Sequence, residues 1–87
     1  MTHLTPVKRQ ILTALRDHQH LESDDVARVI GSDELFRVRA ELHDLCRPRW
    51  GPLVRETWVR RRLQYELTPA GHAVADQETI DFGPEHD

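Results

Sequence analysis

The residues of this sequence that are best suited to surface chemistry are its arginines, and they are concentrated in one part of the chain. Residues 28–62 hold nine arginines against five acidic residues, a local excess of four positive charges. A guanidinium group donates hydrogen bonds in a planar fork that matches phosphate oxygens and the O6 and N7 atoms of guanine. This composition predicts a surface that faces nucleic acid, and the alternative is an ordinary mixed surface.

The acidic residues are concentrated at the other end of the chain. The formal net charge is −3, but residues 76–87 alone carry five acids and no Lys or Arg. The overall sign of the charge is therefore set largely by this acidic segment. We expect a basic docking face with an acidic appendage. An appendage that folds back over the basic face and competes with a ligand is a further possibility.

The densest arginine cluster is Arg60-Arg61-Arg62. It lies between residues 53–58 and the alternating segment 63–67, which we expect to pair as an antiparallel hairpin with its reversal in 59–62. Without Asn-Gly or Asp-Gly at the tip, neither turn type nor register is fixed. Three guanidiniums at a tip are suited to a narrow minor groove or to phosphates. The alternative is that these charges only protect a strand edge from aggregation.

A second group of arginines lies on a predicted helix over residues 33–47, which Ser32 or Asp33 caps and Pro48 ends. Four apolar residues fall within one arc of ~80° and should face the core: Leu35, Val38, Leu42 and Leu45. The opposite face carries four charged residues, one aromatic residue and one alanine: Asp33, Phe36, Arg37, Ala40, Asp44 and Arg47.

Arginine chemistry assigns roles on this opposite face. Arg37 is placed to contact guanine, whereas Arg39 at the flank and Arg47 near the helix end suit phosphate. Phe36 is a candidate for contact with a thymine methyl group, or for a role in the core or a dimer seam. The acids Glu41 and Asp44, with Asp33, oppose deep entry into a groove because they repel phosphate.

Shorter signals predict the elements that position these groups. Thr5-Pro6 begins a first helix that runs to about His18. Leu21-Glu22 is expected to form a brief edge strand, and a second helix begins at Glu22 or Ser23 and ends at Gly31. Thr68-Pro69 begins a short last helix that runs to about Asp76. The acidic residues 77–87 are expected to be disordered.

The order helix, turn, helix and arginine-tipped ribbon resembles that of prokaryotic winged-helix regulators of the MarR-like and PadR-like groups, and of small archaeal and phage repressors. The likeness covers about residues 7–76 and rests on four stretches: Asp25–Gly31, the apolar positions of the third helix, Gly51–Glu56, and Tyr65-Glu66-Leu67-Thr68-Pro69-Ala70-Gly71. The sequence departs from the pattern of these regulators in two respects. Arg47–Pro52 is longer than the usual link into the wing, and only one short helix follows the wing, where full MarR proteins have long dimerisation helices.

Composition limits the other possibilities. The sequence predicts one small domain and a cytoplasmic protein, because it has 87 residues, a single cysteine and no apolar run long enough for a membrane span. His43 and Cys46 form one loose pair, and His18, His20 and His72 are also available, but zinc needs three or four converging ligands. No metal site or cofactor is therefore expected. No phosphate-binding glycine loop or nucleophile elbow appears, so no enzyme is expected. Core packing is expected for at least one of Trp50 and Trp58.

The sequence therefore predicts an α+β winged helix-turn-helix domain over residues 1–76, followed by the acidic segment 77–87. Its expected ligand is double-stranded DNA, with helix 33–47 in the major groove and the wing on the minor groove or backbone. The candidate contact residues are Ser32, Asp33, Phe36, Arg37, Arg39, Arg47, Arg60, Arg61 and Arg62. The alternative is a winged-helix module that binds another protein. A homodimer is possible on either interpretation.

Overall fold

The computed structural model describes residues 4–82. Four helices and one two-stranded antiparallel sheet form an α+β arrangement in the predicted order. The helices are α1 (Pro6–His18), α2 (Ser23–Ile30), α3 (Leu35–Leu45) and α4 (Pro69–Phe82), and a 3-10 helix spans Pro48–Trp50. The strands are β1 (Val54–Val59) and β2 (Arg62–Leu67). None of the helices in residues 4–82 is long and apolar enough to cross a membrane.

The ends of the first two helices follow from local chemistry. Thr5 caps α1, and its hydroxyl accepts a hydrogen bond from the Lys8 amide at 3.3 Å, with Pro6 in the first turn. Helix α2 ends at Gly31, whose φ of 75° is left-handed and is adopted by glycine at little cost. Both predicted boundaries are confirmed.

Helix α3 is shorter than the predicted span 33–47. Its N-cap is Glu34, not Ser32 or Asp33, and it ends at Leu45 with Cys46 as the C-cap. The Ser32 hydroxyl still accepts a hydrogen bond from the Glu34 amide at 3.2 Å, so it stabilises the turn that precedes the helix. The core-facing arc is confirmed, because Val38, Leu42 and Leu45 are buried and Leu35 is partly buried against the core.

The hairpin reverses at Arg60-Arg61, inside the predicted interval. Its register runs from Val54 opposite Leu67 to Val59 opposite Arg62. Tyr65 and Leu67 are buried and Leu63 is half-buried, which confirms the alternating face. The predicted edge strand is a single bridge in which Leu21 and Tyr65 exchange backbone hydrogen bonds of 3.1 and 2.7 Å.

Helix α4 begins where the sequence predicts, and its first turn is held against the start of β1. The Thr68 hydroxyl donates to the Pro52 carbonyl at 2.7 Å and accepts from the Gly71 amide at 3.0 Å. The Thr68 amide donates to the Leu53 carbonyl at 3.1 Å. The helical backbone continues through Phe82, beyond the predicted end near Asp76. The disorder expected for residues 77–87 stays a prediction. The rest of the acidic segment, residues 83–87, lies outside the described residues.

The core lies between the three-helix body and the inner face of the hairpin. Ile11, Leu12 and Leu15 of α1 are fully buried, as are Val26 of α2 and Val54 of β1. Helix α1 packs against α2, α3, α4 and β2, so it is the central support of the fold. This body fixes how α3 and the hairpin are oriented relative to each other.

Candidate nucleic-acid interface

A surface groove separates the exposed side of α3 from the base of the hairpin. Its volume is about 690 Å³. Phe36, Ala40 and His43 contribute one wall from α3, and Leu63 and Tyr65 contribute the other from β2. The first turn of α2 lies at its end. Helix face and ribbon therefore border the same surface.

The tip of the hairpin has a backbone conformation that its residues rarely adopt. Arg60 has φ = 50° and Arg61 has φ = 67°, and they are the only two residues between the strands. Positive φ at both central positions is the requirement of a type I′ turn, which usually takes Asn-Gly. Two arginines occupy it here, so the tip combines two positive charges with an unfavourable local conformation.

Three of the predicted contact residues are exposed guanidiniums that form no ion pair with the side chains that the structure describes. They are Arg37 on α3 and Arg60 and Arg61 at the tip. Phe36, next to Arg37, is 78% exposed, an unusual state for a large aromatic side chain. These four side chains are exposed to solvent and accessible to a ligand.

Two other predicted contact residues are already engaged by the first turn of α2. Arg62 Nε lies 2.8 Å from Glu22 Oε2, and Arg62 Nη2 donates to Oε1 at 3.2 Å. Arg39 donates to the Ser23 hydroxyl at 3.1 Å and to Asp24 Oδ1 at 3.3 Å. No local sequence pattern indicates these contacts, because the partners lie 40 and 16 residues apart along the chain.

The remaining predicted contacts, Arg47, Ser32 and Asp33, lie outside α3. Arg47 is exposed beyond the C-terminal end of the helix, with Nε 3.7 Å from Asp44 Oδ1. Ser32 and Asp33 lie in the turn before the helix. The turn that carries them is therefore part of the link between α2 and α3.

The acids on α3 do not all face outward. Lys8 of α1 is buried, and its ammonium group contacts Glu41 and lies 3.2 Å from Asp44 Oδ2. Asp44 also accepts hydrogen bonds from Arg49 at 2.8 Å and from the Trp50 indole at 3.0 Å. The repulsion expected from Glu41 and Asp44 is thus largely neutralised inside the protein.

We expect Asp44→Asn to lower the stability of the domain and to change its acid dependence. The Arg49 guanidinium, with Trp50 and Lys8, lowers the pKa of Asp44 from 3.8 to about 2 in the folded state. Because the folded-state pKa lies below the unfolded value, this contribution is complete above about pH 4 and is lost as the pH falls toward 2. The loss of charge-assisted hydrogen bonds should cost about 1–3 kcal/mol at pH 7.

Urea unfolding at several pH values measures this effect. The parent and the Asp44→Asn variant should differ most at neutral pH and converge as the pH approaches 2. Asp33→Asn is the matched control, because it removes an exposed acid just before the same helix. A difference between parent and variant that stays constant down to pH 2 would contradict the assignment.

The tryptophans have different surroundings. Trp50 packs against the core, and its ring lies 5.6 Å from the Lys8 ammonium and 5.2 Å from the Arg49 guanidinium. Trp58 is 69% exposed on the hairpin. The expectation that at least one tryptophan packs on the core is therefore confirmed for Trp50. Cys46 is half-buried, and burial raises the pKa of its thiol to about 11.

Helices α2 and α3, joined by the turn at Gly31, and the β1–β2 ribbon that follows them define a winged helix-turn-helix domain. Solved structures share this fold over most of the chain. One of them is BpsR of Bordetella bronchiseptica, a protein whose DNA binding is regulated by 6-hydroxynicotinic acid. The two structures align with a TM-score of 0.77 at 26% sequence identity, and the match covers 94% of this chain and 61% of the BpsR chain. A mutant of ZitR from Lactococcus lactis aligns with a TM-score of 0.77 at 20% sequence identity, and the match covers 91% of this chain and 53% of the ZitR chain.

A probable transcriptional regulator from Pseudomonas aeruginosa has a TM-score of 0.75 at 22% identity, covering 88% of this chain and 57% of its own. The chain thus spans between about half and three fifths of the length of these proteins. No protein-family model matches the sequence, and no curated protein matches it significantly. The predicted fold is confirmed by these likenesses.

Proposed function

We propose that this domain binds double-stranded DNA and acts as a small transcriptional regulator. The observation that carries the proposal is that the exposed face of α3 and an arginine-tipped ribbon border one groove in a winged helix-turn-helix fold. The structural likeness to BpsR, a protein with regulated DNA binding, supports it. A non-enzymatic, cytoplasmic role belongs to the same proposal.

In this proposal, α3 and the tip of the hairpin contact different parts of the DNA. The N-terminal half of α3, with Arg37 and Phe36, faces base edges in the major groove. Arg60 and Arg61 at the tip contact phosphates or the adjacent minor groove. Arg47, beyond the end of α3, is placed for a flanking phosphate. Phosphate contacts supply most of the affinity, so binding weakens steeply with salt.

Fluorescence anisotropy with a labelled random-sequence duplex tests the proposal. Binding at low salt that falls with a linear dependence of log affinity on log salt is the expected result. Trp58 provides a second signal, because a Trp50→Phe variant leaves this exposed wing residue as the sole tryptophan. Absence of any binding down to the lowest practical salt concentration would refute the proposal.

Replacement of Arg37 should change specificity more than it changes general affinity. We expect Arg37→Ala to cost about 1–3 kcal/mol at one base position of a site selected from a random pool, because a bidentate guanine contact is lost. Competition between the selected duplex and its single-base variants measures the effect. Arg28→Ala is the control, since that residue lies on α2 and pairs with Asp25 of the same helix at 3.1 Å. Equal losses at every base position would contradict base reading by Arg37.

A protein-binding module is the second candidate function, and the exposed aromatic side chains favour it. Phe36 and Trp58 are 78% and 69% exposed, and aromatic anchors of this kind dominate protein interfaces. The fold alone does not decide between the two functions. The duplex-binding measurement separates them, because a module without DNA affinity would give no signal with any duplex.

A further inference from the structure

Two arginines of the candidate DNA-facing surface are engaged by carboxylates, and one of them, Arg62, is held in the geometry that a phosphate would use. Glu22 receives Arg62 through both carboxylate oxygens, at 2.8 and 3.2 Å. This paired contact is the arrangement in which guanidinium groups also bind phosphate. The Glu22 carboxylate therefore occupies, as an intramolecular partner of Arg62, the position that two oxygens of a DNA phosphate would take.

In the second pair the arginine contacts one carboxylate oxygen and a neighbouring hydroxyl. Arg39 of α3 donates to Asp24 and to Ser23 at 3.3 and 3.1 Å. Glu22, Ser23, Asp24 and Arg39 all line the groove between α3 and the hairpin. The first turn of α2 thus presents two carboxylates to the surface that we propose for DNA.

These contacts are accessible to solvent and do not belong to the core. The side chains of Arg62 and Arg39 are 70% and 57% exposed. Exposed ion pairs of this kind contribute little to folding stability. Their main physical effect is to neutralise guanidiniums at the point where the phosphate backbone would approach, whereas Arg60 and Arg61 have no such partner among the described side chains.

We infer that Glu22 and Asp24 are specificity-determining residues that hold down sequence-independent DNA affinity by competing with phosphate for Arg62 and Arg39. This inference rests on the proposed DNA-binding function. A phosphate that binds either arginine must displace a carboxylate or tolerate it nearby, so each contact yields less than it would from a free arginine. Base contacts by Arg37 are not reduced in this way, so the ratio of specific to general affinity rises.

The test uses Glu22→Gln and Asp24→Asn in the full chain, with affinity for a random-sequence duplex measured across a salt series. Each variant should bind about 3–10-fold more tightly than the parent, and its salt dependence should steepen by up to ~0.9 for each additional phosphate contact. Asp25→Asn is the matched control. It makes the same charge change one residue away, but Asp25 pairs with Arg28 on α2 itself, at 3.1 Å, and its effect should stay below about twofold.

A double variant identifies the arginine through which Glu22 acts. In the Arg62→Ala background, Glu22→Gln should no longer raise affinity, since the guanidinium that it releases is absent. If the parent binds duplex but Glu22→Gln and Asp24→Asn bind no better than Asp25→Asn, the inference is wrong and the proposed function stands. If they bind more weakly, the carboxylates position the arginines for DNA and the inference is also wrong. If neither parent nor variants bind duplex, the proposed function fails and the inference fails with it.

Discussion

Gly71→Ala is expected to destabilise the domain by about 2–4 kcal/mol and to lower its melting temperature by roughly 10–20 °C. A Cβ atom at Gly71 would lie 1.9 Å from the Leu53 carbonyl oxygen and 2.9 Å from its carbonyl carbon. Both are backbone atoms, and the same oxygen accepts the Thr68 amide at 3.1 Å. The clash is relieved only if α4 moves away from β1.

The sign of this effect depends on the close approach of the Leu53 backbone, to which the Leu67 side chain adds a contact at 3.2 Å. Gly71 is helical, and alanine in a helix interior is ordinarily more stable than glycine by about 1 kcal/mol. Gly31→Ala is the control: φ is +75° there, but no heavy atom lies within 4 Å of the added Cβ, so only the conformational cost of about 1 kcal/mol is expected. Thermal unfolding followed by circular dichroism measures both. A melting temperature for Gly71→Ala equal to that of the parent would contradict the close contact.

The second large effect is expected at the tip of the wing, where stability and DNA affinity should change in opposite directions. The double variant Arg60→Asn with Arg61→Gly places at the tip the residues that a type I′ turn prefers, so it should stabilise the fold by about 1–2 kcal/mol. It also removes two exposed guanidiniums. Affinity for any duplex should fall about tenfold or more at ~0.1 M salt, and the salt dependence should weaken by roughly 2.

The matched control keeps the charge and the backbone strain. Arg60→Lys with Arg61→Lys retains two cations and two residues that disfavour positive φ, so stability should stay close to that of the parent and most of the affinity should remain. Urea unfolding and duplex binding are measured on the same three proteins. If the Asn-Gly variant binds DNA as tightly as the parent does, the wing does not contact DNA. If it is no more stable than the parent, the turn is not strained.

Local patterns in the sequence predicted most of the fold. Thr5-Pro6 and Gly31 set helix ends, and the alternation in residues 63–67 placed the buried face of the hairpin. These features depend on backbone geometry and on neighbours within a few residues, so they can be recognised without the tertiary structure. The start of α3 was misplaced at Ser32 or Asp33 because several residues there are suited to capping, and the local turn selects Glu34.

The candidate site was only partly predictable. The sequence identified the arginines and the exposed positions of Phe36 and Arg37. It did not indicate that Lys8 is buried against Glu41, or that Glu22 engages Arg62, because these partners are 33 and 40 residues apart. The motif around Gly71 resembles that of winged-helix regulators, and its close contact with Leu53 explains why a residue without a side chain stands there.

The sequence by itself determined which residues are helical or extended, which of their faces are apolar, and that positive charge is concentrated in residues 28–62. The tertiary structure alone decided which of those charges are available to a ligand. Packing of α2 against α3 brings a carboxylate to Arg39, and the Leu21–Tyr65 bridge brings Glu22 to Arg62. Arg37, Arg60 and Arg61 are left without such partners among the described side chains. Ion pairing acts over a few ångströms in space and is independent of distance along the chain, so only the folded arrangement determines it.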